Sequence, residues 1–222
     1  MFRAITGAHA HDGGRLRRTG LILAVAALHF SCYYLAATIN TGRPSAALYS
    51  VELGVDAWIP YIAWTWPVYY AADLYILLGL PMILWRLPFR AFVAAILTAA
   101  AVILGGAMLQ VLVPARSPWP EQLTSVQAWY HRAVNVCPWT CFPSMHVALV
   151  VLGTGFAFST TRSVLGRSAL ATLAIAIAAS TLTLKEHYVM DVLVGTVLAL
   201  IGYRLWFRGC SSHLRPLWSI SH

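Results

Sequence analysis

Residues 90–113 read RAFVAAILTAAAVILGGAMLQVLV, and after Arg90 the stretch holds no charged side chain. A helix needs ~20 mostly apolar residues to cross a bilayer, so this run is long enough to span one. Working outward, comparable runs occupy about 20–39, 66–85, 144–160, 168–184 and 188–207. Pro67, Pro88 and Pro114 fall at their edges, where a residue without an N–H does least harm to a helix. The reading is an all-α, polytopic membrane protein built as a six-helix bundle. The whole chain agrees, with 59% hydrophobic and 10% charged residues, against ~25% charged in a soluble domain. Mean hydropathy is +0.70. One membrane domain is expected over 20–207, flanked by cytoplasmic tails at 1–19 and 208–222. The first tail shows no clear cleavage site for a secretory signal.

The formal net charge of +8 does not mark a nucleic-acid binder, because the arginines sit in short clusters between apolar runs. With the N-terminus inside, the inner segments carry Arg3, Arg15, Arg17, Arg18, Arg86, Arg90, Arg162, Arg167, Arg204, Arg208 and Arg215. The outer segments carry Arg43, Arg116, Arg132 and Lys185. That asymmetry is the positive-inside pattern. Trp85 and Trp206 fall at inner boundaries, and Trp58, Trp119 and Trp129 near outer ones, as an aromatic belt requires. The high ratio of arginine to lysine and the abundant alanine suggest a bacterial source, and hence an inner membrane with both termini cytoplasmic.

This topology brings two polar clusters to one face. The fourth span starts outside with Cys141-Phe142-Pro143-Ser144-Met145-His146, and the sixth starts outside with Lys185-Glu186-His187-Tyr188-Val189-Met190-Asp191. Pro143 suits a first helical turn. Free N–H groups there, with the helix dipole, favour an anion such as phosphate, and Ser144 adds a hydroxyl donor. His187 and Asp191 are four apart and share a helix face. A carboxylate on Nδ1 leaves Nε2 unprotonated, as a nucleophile or base requires. An intramembrane or interfacial Asp is costly, and is a functional-site candidate by default. Blander readings suit other polar residues: His29 and His131 as polar tips in a wet boundary, Ser180 and Thr181 as hydroxyls bonded to their own helix. A lone Asp at a helix end is often a cap, a reading that the coincidence of both clusters on one face outweighs for Asp191. Asp73, inside the second span, reads as a packing or hydrogen-bonding residue without an assigned role. Cys137 and Cys141 are spaced so that an oxidising compartment permits a disulfide. A zinc site lacks a second cysteine pair.

The strings FPSMHVA (142–148) and HYVMDVLVG (187–195) resemble the second and third motifs of the type 2 phosphatidic acid phosphatase superfamily. They look most like the branch of inositol phosphorylceramide and sphingomyelin synthases, as does the aromatic run from Asp56 to Tyr70. The resemblance covers roughly residues 52–205 and implies roles. His187 would attack phosphorus and form a phosphohistidine, Asp191 would support it, and His146 would protonate the leaving oxygen. No metal or other cofactor is implied. The partners implied are a lipid phosphate and, for a transferase, a lipid alcohol as acceptor.

This sequence departs from the family pattern in three places. Met145 stands where glycine is common. The usual Ser-Arg opening of the third motif is replaced by Ser180-Thr181, leaving Lys185 as a substitute charge. The first motif is blurred around Pro114–Pro120, where Arg116 is the candidate phosphate clamp with Arg132 behind it. A phosphatase and a headgroup transferase share the same residues, so both readings stand. A transporter or an inactive scaffold are the alternatives of another class, although transporters tend to place ionisable groups near the midplane.

Overall fold

The computed structural model describes residues 2–44, 48–120, 122–133 and 137–214, with side chains described from residue 14 to residue 210. The described chain is helical, with one isolated parallel bridge between Tyr49 and Ala115. Helix α1 runs Phe2–Thr41, α2 Trp66–Leu74, α3 Leu80–Trp85, α4 Phe89–Leu112, α5 Ser125–Ala133, α6 Met145–Thr160, α7 Val164–Thr183 and α8 Val189–Leu214. Five helical stretches are long and apolar enough to cross a membrane: Gly14–Thr41, Ala63–Trp85, Phe89–Leu112, Val164–Thr183 and Val189–Cys210. The sixth expected span is α6, an apolar helix of 16 residues. At 1.5 Å per residue it is about 24 Å long, short of a ~30 Å hydrocarbon core. The apolar helices mark the chain as an integral membrane protein. Helix α1 begins at Phe2, well before the expected span, and α8 reaches Leu214. Arg215 and the rest of 215–222 lie outside the described residues.

The second span is not a plain α-helix. Pro81 has no N–H for the carbonyl four residues back, and its ring crowds that carbonyl. The chain widens into a π-helical turn over Tyr75–Gly79 just before it, the usual local answer to such a conflict. The widened turn carries Tyr75, whose hydroxyl meets Thr154 Oγ1 of α6 at 3.4 Å.

The core forms where α4, α6 and α8 meet, from Phe92, Ala95, Ala99, Leu149, Leu152, Phe156 and Ala199. Leu97, Leu104, Met108, Leu193, Val197 and Leu200 point outward and are exposed. Lipid is as apolar as leucine, so helix association depends on close packing and on small side chains. The clearest case is Gly195 of α8, where an added Cβ would lie 2.5 Å from the Ser144 carbonyl oxygen at the head of α6. Gly195→Ala is expected to cost about 1–3 kcal/mol, the usual range for overpacking, and to lower the thermal midpoint in detergent. An unchanged midpoint would mean that α6 and α8 do not touch there.

The arginine-rich ends close the bundle on the side away from residue 144. Arg18 donates from one Nη to the carbonyls of Trp85 and Leu87, both at 3.0 Å, and its guanidinium lies 4.9 Å from the Phe92 ring centre. Arg167 folds back onto the C-terminus of α6, donating to Thr161 O at 2.7 Å and Phe158 O at 3.1 Å. Both arginines satisfy carbonyls that a helix end leaves open. At the opposite end Asn40 donates to Gln110 O and Trp139 O, each at 2.9 Å. That bond pair ties α1 to α4 and to the loop before α6.

Candidate active site

The head of α6 is recessed. Met145 fills the space beside Gly106, six residues before the end of α4 at Leu112. At 1.5 Å per residue that is about 9 Å below the end of its neighbour. Ser144 is the N-cap of α6; its Oγ accepts from Val147 N at 3.4 Å, and the residue is fully buried. Pro143 therefore precedes the cap instead of opening the first turn. The Ser144 N–H is not free for an anion either, since it donates to Asp191 O at 3.1 Å. That main-chain bond joins the head of α6 to the first turn of α8.

The turn between α7 and α8 is closed by backbone bonds and braced by side chains. The Thr181 carbonyl accepts from both Glu186 N at 3.0 Å and His187 N at 3.2 Å. Lys185 takes a positive φ of 58° to allow this. Asp56 supports the turn from outside: its Oδ1 accepts from Val189 N at 2.8 Å, its Oδ2 from Leu53 N at 2.7 Å, and its carbonyl from Lys185 Nζ at 3.0 Å. Ser180 and Thr181 bond their own helix at Ile177 O and Ala178 O, as the sequence reading expects.

His146 and His187 meet at this end, with ring centres 6.5 Å apart and nearly edge to face. Asp191 Oδ2 lies 3.4 Å from His187 Nδ1, but the pair lacks hydrogen-bond geometry, and His187 Nδ1 and Asp191 Oδ1 are buried without a partner. Instead Oδ2 accepts from Tyr188 N at 2.8 Å, the reach-back of an acidic residue at the third position of a helix. His146 is engaged on both nitrogens: Nε2 lies 3.1 Å from Asp73 Oδ1, and Nδ1 lies 3.4 Å from the Tyr69 hydroxyl. Tyr130, on α5, donates to the other oxygen of Asp73 at 3.0 Å. Burial, reinforced by Asp73, holds the Tyr130 phenol well above its ordinary range, so it remains a donor.

His131 is not a wet polar tip. It is buried, its Nε2 lies 2.7 Å from Glu186 Oε1, and its ring stacks on Trp119 at 4.0 Å. Trp119 Nε1 donates to the other Glu186 oxygen at 3.0 Å. The residue before His187 is thus anchored to α5 and to the loop after α4. Sequence reasoning had no signal for this, because α5 lies in a stretch read as loop.

Two cavities meet at His187. The inner one, about 70 Å³, is lined by His29, Tyr69, Met145, His146, Glu186 and His187 among others. The outer one, about 430 Å³, is lined by Arg116, Lys185, His187, Tyr188 and Glu52 among others. Arg116 is exposed, its guanidinium 5.7 Å from the Trp139 ring centre, and Arg132 is exposed on α5. Lys185 keeps two N–H groups beyond the one given to Asp56. Ser144 lines neither cavity.

The four cysteines are free thiols. Cys137 Sγ donates to Ala37 O and Cys141 Sγ to Ala115 O. Burial, with the Asp191 carboxylate next in effect, pushes the Cys141 thiol up. Among the described residues no three His, Cys, Asp or Glu side chains converge as metal ligands.

The family model of the PAP2 superfamily matches residues 91–212. No curated protein and no solved structure matches the chain. The matched segment is more than half of the chain, takes in α4 to α8 except their outermost residues, and contains both histidines and Asp191. The chain therefore belongs to the PAP2 superfamily, whose members are typically phosphatases or phosphotransferases.

Proposed function

We propose that this protein is a membrane lipid phosphatase or phosphotransferase that works through a phosphohistidine on His187. The observation that carries the reading is the meeting of His146, in the first turn of α6, and His187, in the turn before α8, ring centres 6.5 Å apart although the whole of α7 lies between them in the chain. His187 Nε2 attacks the phosphorus of a lipid phosphate or phosphodiester. The bond from phosphorus to the leaving oxygen breaks, and His146 gives that oxygen a proton. Water or a lipid hydroxyl then attacks the phosphohistidine, returns a proton to His146 and frees His187. General acid–base assistance of this kind supplies ~10²–10⁴-fold. Positioning and charge stabilisation supply the rest.

Arg116 and Lys185 line the outer cavity beside His187 and serve as the phosphate clamp. Lys185 is a point charge where an arginine would give a two-pronged contact. Ser144 contributes by capping α6 and setting the height of His146. No step needs a metal ion.

The six helices, α6 included, form the membrane bundle, with both termini cytoplasmic and the site at the outer face of a bacterial inner membrane. The support is the concentration of arginine at the ends away from residue 144. The same placement disfavours a transporter, which would hold its ionisable groups near the midplane. The strings at 142–148 and 187–195 favour the inositol phosphorylceramide synthase-like branch, and so a headgroup transferase over a hydrolase.

The test is purified protein in detergent with excess chelator, given phosphatidic acid and, separately, a phospholipid donor with a ceramide or diacylglycerol acceptor. Turnover unaffected by chelator is expected. Inorganic phosphate as product identifies a phosphatase, and a new phospholipid identifies a transferase. Activity that chelator removes and a divalent ion restores would refute the mechanism.

A further inference from the structure

Asp73 lies inside the second membrane span, where a carboxylate is costly and calls for a reason. It also lies outside residues 91–212, the segment that matches the family. Two elements converge on it, and a third contact comes from its own helix to the same histidine. From α6, His146 Nε2 approaches Oδ1 at 3.1 Å. From α5, Tyr130 donates its hydroxyl to Oδ2 at 3.0 Å. One turn earlier on α2, Tyr69 is fully buried and places its hydroxyl 3.4 Å from His146 Nδ1. Tyr70 stacks on Tyr130 at 4.3 Å, which fixes α5 against α2 and so fixes the carboxylate.

From this geometry we infer that Asp73 is the positioning residue of His146: it accepts the Nε2 proton and leaves Nδ1 to exchange a proton with the reacting oxygen. The inference rests on the phosphoryl-transfer reading above. A carboxylate on one imidazole nitrogen selects the tautomer and the ring orientation, as in the carboxylate–histidine pair of a serine hydrolase. The site then holds a carboxylate beside each histidine: Asp73 within hydrogen-bond reach of the acid, and Asp191 at 3.4 Å from the nucleophile.

The proton count closes. His146 begins with protons on both nitrogens. As the phosphorus–nitrogen bond to His187 forms and the ester bond breaks, the Nδ1 proton passes to the leaving oxygen. His146 stays neutral with Nε2–H on Asp73. As the acceptor oxygen bonds phosphorus and the phosphorus–nitrogen bond breaks, the acceptor proton returns to Nδ1. The Tyr69 contact at 3.4 Å is at the long limit of a hydrogen bond, so a substrate oxygen can displace it.

The alternative is that Asp73 only pins α5 to α2 through Tyr130. Two esters separate these roles. Phosphatidic acid has an alkoxide leaving group that needs a proton, and p-nitrophenyl phosphate has one that does not. Asp73→Asn keeps the volume and an acceptor for Tyr130. In the full chain it is expected to lower kcat/KM on phosphatidic acid, which reads the step that forms the phosphohistidine, by about 10–10²-fold, part of the ~10²–10⁴-fold available to acid–base assistance. On the nitrophenyl ester it should change kcat/KM less than about threefold, whatever happens to the common breakdown step in kcat. Tyr130→Phe should show a weaker loss with the same selectivity. Equal losses on both esters, or none on either, overturn the inference.

A second readout needs no turnover. Nitrogen-15 spectra of histidine-labelled protein, with His146→Gln to assign the signal, should show the neutral His146 ring as the Nε2–H tautomer. Asp73→Asn should erase that preference. An Nδ1–H ring in the unmutated protein overturns the inference whether or not either ester turns over. A wild-type protein inert toward every phosphate ester, by contrast, refutes the phosphoryl-transfer reading itself.

Discussion

His187→Gln is expected to abolish turnover, with a fall on the order of 10⁴-fold or more, as when a covalent nucleophile is removed. It is also expected to abolish labelling of the protein by phosphate-labelled substrate. Glutamine keeps a polar side chain of similar reach. The His187 main chain is held by Thr181 O, which also accepts from Glu186 N, and these bonds do not depend on the side chain. The variant should therefore fold, and its thermal midpoint in detergent should stay close to that of the wild type. A phosphohistidine is labile in acid and stable in alkali, so trapped label should show that pattern in the unmutated protein. Turnover within tenfold of wild type in His187→Gln would remove the covalent mechanism.

The second large effect is expected from Asp191→Asn, a loss of about 10²–10⁴-fold in kcat. The upper end matches the ~10⁴-fold cost of the equivalent change in serine proteases, where the imidazole is left in the wrong tautomer. Asp191 is fully buried, and one carboxylate oxygen is already occupied by the Tyr188 N–H at 2.8 Å. Asparagine can keep that bond through its own oxygen, so the helix start survives. What changes is the group facing His187 Nδ1 at 3.4 Å. A carboxylate there balances the positive charge that grows on the imidazole as phosphorus bonds to Nε2, and can accept the Nδ1 proton once the ring shifts into line. An amide nitrogen can do neither. Unlike Asp73→Asn, the loss should be similar on alkyl and aryl esters, because the nucleophile serves both. A loss confined to alkyl esters would mean that Asp191 assists proton transfer and not attack.

The helices were legible because a bilayer forces a simple pattern on the sequence. Each run near 20–39, 66–85, 90–113, 168–184 and 188–207 corresponds to an apolar helix long enough to cross, and 144–160 to the shorter α6. Local signals also read correctly where only local contacts matter, as with the helix-bonded Ser180 and Thr181. Contacts between distant residues were hidden. Asp73 meets a histidine 73 positions away, and nothing in its own neighbourhood announces that partner. His131 looked like an exposed tip because its buried partner, Glu186, is 55 positions away. The i, i+4 spacing of His187 and Asp191 correctly predicted proximity, but not the shared helix face, because α8 begins at Val189 and His187 lies in the turn before it. The cap role that an Asp at a helix end suggests was outweighed there, yet Asp191 also reaches back to Tyr188 N, since spacing alone cannot rank two donors for one oxygen. Pro143 misled in a related way: proline fits the first turn of a helix, but here it stands before the serine that caps it.

The bond from Ser144 N to Asp191 O has a bearing on how such a site can diversify. Both atoms belong to the main chain, so every residue type but proline at 144 supplies the donor, and every type at 191 supplies the acceptor. The join between the head of α6 and the first turn of α8 is thus made by main-chain atoms, provided Gly195 stays small enough to let the two approach. Clamp residues and acceptor pockets can therefore change without breaking the bond that joins the two motifs.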